Sequence, residues 1–257
     1  MLFLLRQIRR KLMNESKFTT YLLYAIGEII LVVVGILIAV SIDNWNANRK
    51  SKAEEKILLT KLLQEQISDK ENLEEVISLH IWLNNKLDTL QALIFHSDEI
   101  DLDSIRQADF DSYIGFLYYI PSYKPKQAFM NSAINSGQIS LVANDSISTI
   151  IAGWSGLYED YQGSIHAVYD LVTFQIVPYL SGKHPFSNTT KEFEIVKKSF
   201  GSKFTYDRVA LLDDLKMESL TELKRVDAEG ALEKAEQLLD LKEALINLLK
   251  NEIKKHN

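Results

Sequence analysis

Residues 21–42 read YLLYAIGEIILVVVGILIAVSI, and Glu28 is their only ionisable side chain apart from Tyr21 and Tyr24. As a helix rising about 1.5 Å per residue, such a run crosses the ~30 Å hydrocarbon core of a bilayer. This constrains everything else. The chain is expected to be tied to the lipid bilayer by one span, and only the residues after position 42 are free to fold in water.

Charge is distributed unevenly around that span. Arg6, Arg9, Arg10, Lys11 and Lys17 precede it against Glu15 alone, a net of +4. Residues 43–257 carry 24 Lys and Arg against 33 Asp and Glu, a net of −9. An acidic body lacks the basic face that nucleic acid requires, so no nucleic-acid partner is expected. The absence of cysteine excludes disulfides, thiolate metal sites, a cysteine nucleophile and a lipidated cysteine anchor. Basic residues also occur after the span at Arg49, Lys50, Lys52 and Lys56, so the positive-inside comparison favours a cytoplasmic N-terminus by a small margin. A long C-terminal part translocates largely regardless of its charge, which points the same way. A cleaved signal peptide is the competing reading, with Ala39-Val40-Ser41 as a weak cleavage site. The apolar run is longer than signal peptides use, and a retained anchor is expected. Residues 1–20 place Leu4 or Leu5, Ile8 and Leu12 on one helical face with the basic residues largely off it. They read either as a basic amphipathic arm on an anionic leaflet or as a plain topology-setting flank.

The segment YLLYAIGEIILVVVGILIAVSIDNWNANRK resembles the signature of a family of uncharacterised bacterial proteins. These have a basic arm, a span of the form YAIGEIxLVVxGILIA and a WNxxRK-like juncture, here Trp45-Asn46-Ala47-Asn48-Arg49-Lys50. The resemblance covers residues 1–50 and weakens beyond them. It implies a bacterial inner-membrane location and carries no functional residue with it.

Beyond the span the pattern predicts an all-α fold. Four regions are expected: the arm (1–20), the transmembrane helix (21–42), a long coiled-coil-like juxtamembrane helix (43–96) and a helical bundle (97–257) closed by a long C-terminal helix. Leu59, Leu62, Leu73, Val76, Leu83, Leu87, Leu90 and Ile94 recur at 3–4 spacing. In that register Gln66 and His80 take a positions and Asp69 a d position. They either set register from inside or face water. No Pro or Gly lies between Gly35 and Gly115, so the spanning helix can run on into this one. Further helices are expected from Ser104 behind an Asp103 cap, over 126–136 ending at Gly137, over 146–161 behind Asn144 or Asp145, and over 164–179. Residues 191–200 read as a short helix or strand, 207–226 as a helix, and 228–255 as the last helix, with Leu232, Ala235, Leu239, Ile246, Leu249 and Ile253 on one face.

Chemistry-bearing motifs are scarce. Histidines 80, 96, 166, 184 and 256 show no metal-ligand spacing. Gly153-Trp154-Ser155-Gly156 misses the nucleophile elbow by one residue, and there is no phosphate-binding glycine loop. No catalytic residue, metal site or cofactor is expected.

Two features stand out. Glu28 lies roughly 10 Å into the span, where a charge costs about 3 kcal/mol or more. Protonated, it can hydrogen-bond a neighbouring helix. Gly27, and Gly35 with Ala39 four residues on, offer small surfaces for close approach. Glu28 also reads as a snorkelling side chain or a proton-coupling site. The second feature is aromatic: Tyr113, Phe116, Tyr119, Tyr123, Trp154 and Tyr158 either line a ligand or partner surface or fill the core of a helical bundle. The expected function is that of a non-enzymatic, membrane-anchored helical protein of the bacterial inner membrane with its C-terminal domain in the periplasm. It would self-associate or serve a membrane-protein partner as an accessory or scaffold subunit. An extracytoplasmic ligand-sensing domain, or a proton-coupled subunit using Glu28, is the alternative.

Overall fold

The computed structural model describes residues 18–195 and 197–256, and no strand occurs among them; the protein is all-α. The amphipathic pattern at Leu4, Leu5, Ile8 and Leu12 lies outside the described residues. The chain divides into two units, Met1–Ile57 and Leu58–Asn257. A single helix, α1 (Phe18–Phe95), contributes to both, as the absence of Pro and Gly allows.

In the first unit α1 carries an apolar surface that no other described residue covers. Leu23, Leu31 and Leu37 are among many apolar side chains exposed there. Among the described residues this is the one helix long and apolar enough to cross a membrane.

The second unit packs α1 against two other long helices, α4 (Asp145–Leu171) and α8 (Leu215–Lys255). Shorter elements fill the sides. They are α2 (Gln107–Phe116), α3 (Ala128–Asn135), α5 (Val177–Leu180), α6 (Phe186–Glu192) and α7 (Arg208–Leu212). One core region joins Leu59, Leu62 and Leu73 to Ile147, Ala235 and Leu249. A second, further along the same helices, joins Leu83, Leu87 and Leu90 to Phe110, Ile176 and Met217. The a and d positions of α1, apolar and polar, turn into this core, except that Val76 is only partly buried and Ile77 beside it is buried instead. Gln66, Asp69 and His80 are therefore buried, and the reading in which they face water is wrong.

Local chemistry sets the helix ends. The Asn144 side chain accepts the Ser146 N–H, Asp214 accepts that of Lys216, and Gly137 stops α3 with φ of 74°. Several expected boundaries move. The helix expected from Ser104 is a 3₁₀ turn, Leu102–Ser104, because Asp101 rather than Asp103 caps it and Leu102 is drawn inward. Residues 146–179 form no pair of helices. α4 runs through Gly163, since Tyr161, Ile165 and Val168 continue its buried stripe and outweigh the ~1 kcal/mol cost of one interior glycine. It then widens into a π turn, Val172–Ile176, just ahead of Pro178. A wide turn there relieves the clash between the proline ring and the preceding carbonyls. The short element expected over 191–200 lies earlier, as α6. The helix expected over 207–226 is broken at Asp213 and Asp214, which leaves α7 as a short piece; the rest joins the last helix as α8, because Met217, Leu220, Lys224, Ala228, Ala231 and Ala235 keep the stripe unbroken across Asp227. Of its expected face Leu232, Ala235, Ile246 and Leu249 are buried and Leu239 and Ile253 partly so, while Leu238 and Leu245 widen the buried stripe.

Candidate functional site

Every ionisable side chain taken from water must find compensation, so the buried charges locate whatever chemistry the bundle holds. Asp69 of α1 and Lys242 of α8 are both fully buried and meet at 2.9 Å. The same Asp69 oxygen, Oδ2, accepts the Tyr123 hydroxyl at 2.7 Å, and Oδ1 accepts the Lys126 backbone N–H at 2.7 Å. Lys242 Nζ also donates to Gln66 Oε1 at 2.9 Å and lies 4.1 Å over the Trp154 ring. Burial pushes the Lys242 pKa down, and the Asp69 carboxylate opposes that. Burial, with Asp69 adding, raises the Tyr123 hydroxyl far above the ordinary phenol range.

The array continues along α1. Tyr161 OH accepts the Tyr123 N–H at 2.8 Å and sits 3.4 Å from His80 Nε2. Burial raises Tyr161 to about 12 and, with the nearby charge of Lys224, lowers His80 to about 4. Near neutral pH His80 is therefore an uncharged imidazole. One turn before Asp69, Glu65 takes the Phe129 and Met130 N–H groups at 2.6 and 2.9 Å and so caps the start of α3. The groups point at one another. Chemically the array clamps α1, α4, α8 and the 117–127 connector together.

A second polar cluster sits beside the second core region. Asp111 Oδ1 receives His184 Nε2 at 2.9 Å, Tyr206 OH at 2.6 Å and Gln107 Nε2 at 3.1 Å. Burial pushes the Asp111 carboxyl up, but these three donors outweigh it and hold it below its ordinary pKa. An ionised Asp111 only accepts, so His184 Nε2 carries a proton and donates it. His184 Nδ1 is buried without a protein partner. Nearby, a cleft of about 490 Å³ runs along Lys183, His184, Pro185, Phe204 and Tyr206. Its lysine is engaged by Asp214 at 2.5 Å.

The aromatic residues singled out from the sequence divide between these places. Tyr123 (fully buried), Trp154 and Tyr158 surround the Asp69–Lys242 pair. Tyr113, Phe116 and Tyr119 belong to an edge-to-face set with Trp82 and Phe193; Trp82 meets Phe116 at 5.1 Å and Tyr119 at 5.9 Å. Phe116 is buried, while Tyr119 keeps 36% of its surface open. The close fit here depends on Gly115, where a Cβ would fall 2.2 Å from the Phe193 ring. Gly115→Ala is expected to cost about 1–3 kcal/mol, read as a lowered denaturant midpoint.

Glu28, Gly27, Gly35 and Ala39 lie on the exposed apolar part of α1, and nothing approaches a Cβ built on either glycine within 4 Å. Among the described residues no group of three or more His, Asp or Glu is placed to hold a metal ion. Sequence reasoning missed Lys224, Lys242, Asp111, His184 and Tyr206 as members of these clusters. The two lysines were open to detection: both interrupt the apolar stripe of α8 at helical spacing. The Asp111 cluster joins residues nearly a hundred positions apart and leaves no local mark.

A family model described as "Family of unknown function (DUF6090)" matches residues 28–192, more than half of the chain. No curated protein and no solved structure matches it.

Proposed function

We propose, for a chain that belongs to the DUF6090 family of unknown function, the role of a non-enzymatic membrane-anchored scaffold that self-associates through its apolar helix. The host membrane in this reading is a bacterial inner membrane. The basic N-terminal arm lies in the cytoplasm and the helical bundle in the periplasm, an orientation supported by the charge difference across the span. The observation that carries the reading is a single face of α1. At about 100° per residue, Gly35 and Ala39 fall within about 20° of Glu28 around the helix axis. That face combines one polar side chain with two small ones, and none of the described residues covers it. Close backbone approach at Gly35 and a hydrogen bond from protonated Glu28 are two forces that hold helices together in lipid. The interior polar groups of the bundle serve cohesion, which suits a scaffold.

Disulfide crosslinking in native membranes tests this, on a chain with no cysteine of its own. Val32→Cys lies on the Glu28 face and Val34→Cys off it. Crosslinked dimer is expected from the first and little from the second. Gly35→Ile should remove most of it. Glu28→Leu should lower it about 3–30-fold, the equivalent of the ~0.6–2 kcal/mol an interhelical hydrogen bond is worth. Glu28→Gln, which still donates and accepts, should retain it. Equal, weak crosslinking at both positions would overturn the reading.

A further inference from the structure

The apolar part of α1 carries a groove of about 350 Å³ lined by Val34, Leu37, Ile38, Ser41 and Ile42, with Trp45 at its C-terminal end. Over these residues the helix rises about 16 Å. Trp45 is exposed, as an aromatic ring at a membrane–water interface is before lipid surrounds it.

Positive charge follows on the same side. At about 100° per residue, Arg49 and Lys52 fall within about 40° of Trp45 around the helix axis, and both are exposed. Asp43, Lys50 and Glu54 lie about 140–180° away, where Lys50 and Glu54 pair at 3.9 Å. Glu55, about 80° round, is buried. The face that continues the groove therefore shows two cations and no exposed carboxylate.

Direction matters as much as position. A helical Cα–Cβ bond tilts toward the N-terminus, so the Arg49 and Lys52 side chains lean back toward the span. At Arg49 the lean is visible: its Cζ stands 5.8 Å from the centre of the Trp45 ring, one turn earlier. A tryptophan at headgroup level thus holds a guanidinium at that level too.

We propose that this face binds an anionic glycerophospholipid of the leaflet on the C-terminal side of the span. One acyl chain lies in the groove from Val34 to Ile42, and the Arg49 guanidinium takes the phosphate in a two-pronged hydrogen bond. Lys52 beside it repels a choline or ethanolamine group and so selects a headgroup of net negative charge. The face is about 100° from that of Glu28, Gly35 and Ala39, so the lipid sits beside a helix–helix contact and not in it. The inference rests on α1 crossing the bilayer and is independent of self-association.

The full chain reconstituted in phosphatidylcholine bilayers tests it, with Trp45 as the reporter. The bilayers receive equal small fractions of brominated phosphatidylglycerol or brominated phosphatidylcholine, whose bromines quench a tryptophan they touch. Trp45→Phe gives the background of the other two tryptophans. The brominated phosphatidylglycerol is expected to quench Trp45 about threefold more than its phosphatidylcholine counterpart, and high salt should erase the difference. Arg49→Gln/Lys52→Gln should bring the two lipids to one level. Three other variants should keep the preference: Lys50→Gln on the opposite side, Arg6→Gln/Arg9→Gln/Arg10→Gln before the span, and Glu28→Leu on the other face. Loss of the preference in any of those three would place its source elsewhere and refute the site. Equal quenching by both lipids in the parent chain, or a preference that survives Arg49→Gln/Lys52→Gln, would refute it while leaving the span in place. Quenching by neither lipid would take Trp45 out of the bilayer, and the span would fall with the site.

Discussion

Asp69→Ala is expected to lower unfolding stability by about 3–5 kcal/mol, more than any other single truncation in the first core region. The substitution removes the acceptor of three hydrogen bonds at once: those of Lys242, the Tyr123 hydroxyl and the Lys126 N–H. It leaves Lys242 charged and fully buried with only Gln66 and the Trp154 face for company. Lys242→Met should cost less, because Asp69 keeps the tyrosine and backbone donors. The double variant Asp69→Leu/Lys242→Met should recover a good part of the loss, since an apolar pair is often no worse than a buried ion pair. Denaturant unfolding of the full chain in detergent reads all three. If Asp69→Ala changed stability by less than 1 kcal/mol, the polar array would not be what clamps the helices together.

How much of this was legible depends on the range of the interactions. The heptad over residues 59–94 locates the inner face of α1 correctly, including its polar members, because a helical stripe is a local pattern. The same pattern holds the partners in α8, where Lys224 and Lys242 occupy stripe positions. A lysine in an apolar stripe reads as an interruption until its partner is known. Asp69 supplies the partner from 173 residues away. Helix breaks were over-read for a related reason. Gly163 and Asp227 weaken a helix locally, but tertiary burial on either side of each outweighs a cost of about 1 kcal/mol. The Asp111, His184 and Tyr206 cluster is the opposite case. Its members sit on α2, in the turn after α5 and in an irregular loop, so no periodicity joins them. The aromatic residues were visible as a group, yet only the fold divides them into a set around Asp69 and a set around Trp82.

Lys224 yields the second large effect, with a sign that reverses with pH. It is fully buried, and its Nζ donates to the Tyr119 carbonyl at 3.0 Å. Burial lowers it to about 7, and the nearby Asp227 only partly compensates. Asp227 itself is raised by burial, so both charges are poorly solvated. In the unfolded chain the lysine titrates near 10.5. Between about pH 7 and 10 the unfolded state therefore holds a proton that the folded state does not, and stability rises with pH across that window. Below about 7 both states are protonated and the full penalty applies, on the order of 4–5 kcal/mol for a shift of this size. Lys224→Met removes that penalty but orphans the Tyr119 carbonyl, a loss of about 1–3 kcal/mol. The variant should thus be more stable than the parent by about 2 kcal/mol at pH 7 and no more stable, or less, at pH 10. Tyrosine ionisation near pH 10 acts on both proteins alike and cancels in the comparison. Parallel denaturant titrations of the two full-length proteins at pH 6, 7, 8, 9 and 10 give the difference directly. A constant difference across that range would mean that Lys224 does not change its charge inside the folded bundle.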